Sequence, residues 1–141
     1  MTDDSTATGI SLSGLREAFS GSEDVLVQML GLFQVQAMER MAQLNAHLAA
    51  WDVMAARTAL HSLVNISGAV RAYAMSDLAK AVGEAVKRED RGQALAAAEV
   101  LGRECSTVLE QVQIMLDASQ ARPRDIWLAV LPSLQASAPS A

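Results

Sequence analysis

Apolar residues return every three or four positions through two long stretches of this chain, and that spacing constrains it to helix. Leu26, Leu30, Phe33, Ala37, Met41, Leu44 and Leu48 form one series, and Ala94, Ala98, Leu101, Cys105, Val108, Val112 and Met115 form a more regular second one. At about 100° per residue each series is one stripe on one side of an α-helix, which must find an apolar partner. The composition agrees: 51% of residues are hydrophobic but only 4% aromatic, so Ala, Leu, Val and Met supply the core volume. Such side chains lose little rotamer freedom in a helix, and no strand pattern competes.

The shorter segments complete the set. "SLSGLREAF" predicts a short helix capped by Ser11 or Ser13, with Leu15 and Phe19 turned inward. "SGS" at 20–22 breaks it, and Ser22 is the expected cap of a helix over Glu23–Ala49. "AAWD" makes a corner, with Asp52 capping a third helix that turns Ala56, Leu60, Leu63, Ser67 and Val70 to one face. Gly68 weakens that helix, and a kink or end is expected near residues 71–74. Met75, Leu78 and Val82 continue in a fourth segment, "KREDRG" at 87–92 forms a polar turn, and a last long helix covers Gln93–Ala118. Stripes of this kind joined by short connections predict an all-α, up-down four-helix bundle with a short N-terminal helix and an extra short C-terminal one. Residues 1–9 read as a disordered leader, 10–118 as the bundle and 119–141 as a tail. In that tail Asp125 is the expected cap for a helix presenting Ile126, Trp127, Val130 and Leu131, with Pro132 limiting it. This segment is expected to pack back on the bundle, the alternative being an exposed apolar anchor.

Several functions are disfavoured at once. A formal net charge of -5 speaks against nucleic acid and against an anionic membrane surface. No apolar run approaches the ~20 residues of a membrane span. The opening "MTDDSTATG" is too acidic and polar for a signal peptide, and one cysteine allows no internal disulfide, so a cytoplasmic protein is expected. Cys105 lies on the apolar stripe and reads as a buried structural thiol. No Glu-x-x-His pair suggests a di-metal bundle site, and no metal or cofactor is expected.

What the helical pattern does not explain is His61, one of two histidines, inside "RTALHSLVNISGAVRAYAMSDLAKAV". With the core face set at Leu60, Leu63 and Ser67, His61 falls roughly 140° away and points outward. Arg57 and Gly68 lie beside it, Val64 and Arg71 on the flank, and Asn65 near the far side. An exposed imidazole offers a nucleophilic nitrogen near neutral pH. His47, near the end of its helix and next to the core position Leu48, reads as an ordinary surface residue.

Over roughly residues 10–118 the chain resembles the histidine-containing phosphotransfer (HPt) domains of bacterial phosphorelays. The likeness rests on "LREAF", on the acidic helix start "SEDVLVQMLGLF", on Asp52 nine residues before the histidine and on "ALHSL". Gly68 and the spacing to Met75, Leu78 and Val82 extend it. The family motif is His-x-x-Lys-Gly, whereas this chain reads His61-Ser62-Leu63-Val64-Asn65. The resemblance implies that His61 accepts a phosphoryl group from a receiver-domain aspartate of a response regulator or hybrid kinase and relays it. It also implies a monomeric phosphocarrier without turnover of its own. Arg57, Val64, Asn65, Gly68 and Arg71 are the expected partner-binding residues, and Arg57 or Arg71 is expected to replace the missing lysine, a replacement that is not itself a family feature. The departures at Val64 and Asn65 leave a second reading open, an HPt-like module that binds a receiver or kinase without relaying phosphate.

Overall fold

The computed structural model describes residues 8–130. The leader up to residue 7, and Leu131 and Pro132 of the expected tail helix, lie outside the described residues. The helices are α1 (Leu12–Phe19), α2 (Glu23–Ala50), α3 (Val53–Ala69), α4 (Tyr73–Lys87) and α5 (Arg91–Ala118), followed by a 3-10 helix, Pro123–Ala129. The described residues contain no strand. Both long stripes are buried along their whole length, on α2 and on α5. They meet the inward faces of α3 and α4 in one core. No helix among the described residues is long and apolar enough to cross a membrane.

The up-down order comes from three corners built alike. Trp51, Arg71 and Glu89 each adopt a left-handed backbone, with φ of 52°, 63° and 57°. The next residue then returns its N–H to the helix just ended: Asp52 to His47 O (2.8 Å), Ala72 to Ser67 O (2.9 Å) and Asp90 to Ala85 O (3.0 Å). This closure satisfies carbonyls that a helix end otherwise leaves open. It also reverses the chain within two or three residues. Asp52 and Asp90 then cap the following helices by accepting from Ala55 N and Gln93 N.

Ser11 is the residue that caps α1, accepting from Gly14 N at 3.3 Å, while Leu15 is buried and Phe19 half-buried. Ser22 occupies the cap position of α2 but makes no side-chain cap bond. Glu23 does more at this helix start: its Oε2 accepts from Gly21 N and from Trp127 Nε1, each at 2.8 Å. The Trp127 bond, then the Gly21 bond, hold its carboxyl below the usual carboxylate range. Trp127 thereby ties the C-terminal segment to α2, and Ile126 and Val130 are buried, so described residues 123–130 pack back on the bundle. Asp125 is not the cap expected of it; it sits in the first turn of the 3-10 helix and pairs with Arg122 at 3.1 Å.

The described N-terminal residues also differ from the expected boundary. Gly9 is buried, and its N–H lies 2.6 Å from Glu104 Oε2, while Ile10 N bonds Gln111 Oε1 at 2.8 Å. Glu104 is 7% exposed on α5, and a buried carboxylate needs donors. Glycine suits residue 9: φ is +77°, a conformation strained for other residues, and a Cβ there would displace the Gln111 amide, whose Oε1 would lie 2.5 Å from it.

Candidate functional site

The outward position of His61 follows from what α3 buries. Ala56, Ala59, Leu60, Leu63 and Ser67 fill the core side, and Ser67 is tolerated there because its Oγ donates to Leu63 O at 2.6 Å. His61 is exposed on the other side. It opens onto two shallow grooves. One, with Met54, Arg57 and Thr58, lies toward the start of α3. The other, about 270 Å3, runs between α3 and α4. Its floor includes Val64, Ala79 and Gly83, and Arg57, Lys80, Glu84 and Lys87 stand around it.

Of the expected site residues, Arg57 lines both grooves and Val64 lines the second. Asn65 is exposed, and Gly68 is half-buried with open space where a Cβ would project, but neither lines the grooves at His61. Arg71 lies beyond α3, which stops at Ala69, a little before the end expected near residues 71–74. Arg71 forms the corner, its Nη1 donating to Gly68 O (3.3 Å) and Ala69 O (3.0 Å), with its guanidinium 5.9 Å from the Phe19 ring centre. Its charge serves the helix C-terminus rather than the imidazole.

Sequence reasoning missed the α4 side of the site. Lys80, Glu84 and Lys87 recur at four and three residues, on one face of α4, with Gly83 keeping the space beside them open. That pattern was present in the sequence; what turns it toward His61 is the packing of α4 on α3. Among the described residues neither Arg57 nor Lys87 enters an ion pair, and Lys80 has only Asp77, at 4.0 Å and well exposed.

Ser62 is drawn the other way. Arg40 of α2 donates from Nε to Ser62 Oγ and from Nη1 to Gln43 Oε1, both at 3.1 Å. His47 is half-buried in this separate α2–α3 groove. Cys105 is 3% exposed, and burial, then the Glu104 charge, pushes its thiol up to about 11. No group of three or more His, Cys, Asp or Glu among the described residues is arranged to hold a metal ion.

The family model described as Hpt domain matches residues 28–122, a span that includes all of α3 and α4. No curated protein and no solved structure matches the chain.

Proposed function

The chain belongs to the Hpt domain family, and from that premise we propose that His61 accepts a phosphoryl group from a receiver-domain aspartate and relays it to a second receiver. Hpt domains are phosphocarriers in phosphorelays that interact with receiver domains; they are not turnover enzymes. The observation that carries the reading is the exposed His61 on the helix that also supplies core residues, with a groove on either side. Such a group needs no triad beside it. The neutral imidazole attacks phosphorus in line through its unprotonated nitrogen, forming an N–P bond while the bond from phosphorus to the aspartyl oxygen breaks. The carboxylate leaves with the electron pair, and the ring keeps its proton as a phosphorylated imidazolium. Most of the electrostatic stabilisation comes from the receiver, so the Hpt chain contributes a held nucleophile and a docking surface.

Val64 and Asn65 in place of the motif's lysine and glycine favour a second reading, in which the domain binds a receiver without sustaining transfer. One experiment separates the two. Incubation with aspartyl-phosphorylated receivers is expected to place acid-labile phosphate on the parent chain and none on His61→Gln, with thermal stability unchanged within ~0.5 kcal/mol as for other surface substitutions. Label retained in His61→Gln would remove His61 from the role, and binding without any label would favour the second reading.

A further inference from the structure

We infer that Lys80 of α4 is the phosphoryl-positioning cation of this domain, acting from across the helix interface where the motif would place a lysine on α3 itself. The inference rests on the proposed role of His61 and assigns the residue that supports it. The register between the two helices carries it. They run antiparallel through the corner at 70–72, and Ser76 Oγ donates to Val64 O at 3.3 Å, which sets those two residues level. One turn along α4 from Ser76 is Lys80; one turn back along α3 from Val64 is Leu60, followed by His61. The Lys80 backbone is therefore level with Leu60 and His61, and the Lys80 and His61 side chains line the same groove.

The other charged groups of that groove fall elsewhere in the register. Glu84 is one turn beyond Lys80, and its backbone is level with Ala56 and Arg57, a turn away from His61 in the same groove. Lys87 lies further on, toward the start of α3. Lys80 is also free to move. Its contact with Asp77 is 4.0 Å long with side chains 62% and 64% exposed, a pairing that holds a lysine only weakly. An ammonium on a four-carbon stem can swing to a phosphoryl oxygen as charge gathers there.

The test uses phosphoramidate, a small donor that phosphorylates imidazole directly and so needs no receiver. The rate of labelling is expected to fall about tenfold in Lys80→Met, less than for a donor inside a water-excluded site because Lys80 is exposed. Lys80→Arg is expected to stay near the parental rate, and Lys80→Met combined with Val64→Lys to recover it, since either keeps a cation within reach. Thermal unfolding of Lys80→Met and Lys80→Arg should match the parent, Lys80 being exposed. A parental rate in Lys80→Met, or no recovery in the double variant, would overturn the role of Lys80 and leave His61 as phosphoacceptor. A parent that takes no label, or a His61→Gln variant that does, would overturn both.

Discussion

A nucleophile must be reachable as well as reactive, and the fold separates His61 from Cys105 on the first count. His61 is exposed on α3, whereas Cys105 is 3% exposed on the stripe of α5. Burial is the larger cause of the raised thiol, the neighbouring Glu104 carboxylate the smaller, and the folded value is about 11 against an ordinary 9.0. The unfolded chain therefore gives up this proton at lower pH than the folded one. Between pH 9 and 11 unfolding releases a proton, so stability contributed by the neutral thiol is lost as pH rises through that window. Below pH 9 Cys105 adds no pH dependence. Urea midpoints should accordingly fall more steeply over pH 9–11 in the parent than in Cys105→Ala. Equal slopes would show that the thiol is not held neutral by its burial. The same comparison predicts that a thiol reagent at about pH 8 reacts with the folded chain only as fast as it opens.

At the scale of the helices, the corners carry a cost that the stripes do not. A non-glycine residue in the left-handed region is disfavoured by about 1 kcal/mol or more. Two of the three offset this with contacts: Arg91 lies 5.9 Å from the Trp51 ring centre and bonds Ala49 O, and Arg71 binds carbonyls of its own helix end. Glu89 is exposed and forms no ion pair among the described residues. Glu89→Gly should therefore stabilise the protein, by about 0.5–1 kcal/mol after the extra freedom of glycine in the unfolded chain is counted. Chemical denaturation measures this directly, and a loss of stability would mean that Glu89 is not strained. The stripes were legible because burial along a long helix repeats one signal many times, as in Leu26 to Leu48 and Ala94 to Met115. The ends were less so, because neighbours compete for the same orphan donors. Glu23 and Trp127 dominate where Ser22 was the local expectation, and Arg71 closes a helix where continuity would have carried it along the surface.

For the whole molecule the question is how a chain of net charge -5 approaches an acidic receiver pocket. On the proposed reading, Arg57 is the cation that could be read from α3 alone, since it lies one turn before His61 on the same helix. Lys80 and Lys87 could not be assigned that way, because their place along the His61 groove depends on the α3–α4 register, which the Arg71 corner and the Ser76–Val64 bond establish. The resulting groove gathers three cations and one carboxylate, Glu84, on a surface that is acidic elsewhere. Local fields of this kind steer encounter while contributing less to the lifetime of the complex. Arg57→Glu combined with Lys87→Glu should then slow association with a receiver about tenfold at low salt and flatten its salt dependence. Arg71→Glu is the control of equal charge change per residue. It loses two bonds to Gly68 O and Ala69 O and puts an anion at a helix C-terminus, so it should lower stability by about 1–2 kcal/mol while association at a temperature well below melting stays near parental. Stopped-flow association across a salt series, beside thermal melts, decides between them. If the Arg71 variant slows association as much as the Arg57 and Lys87 pair, steering follows overall charge and not the groove, and docking must rest on apolar contact around His61 and the exposed Met54.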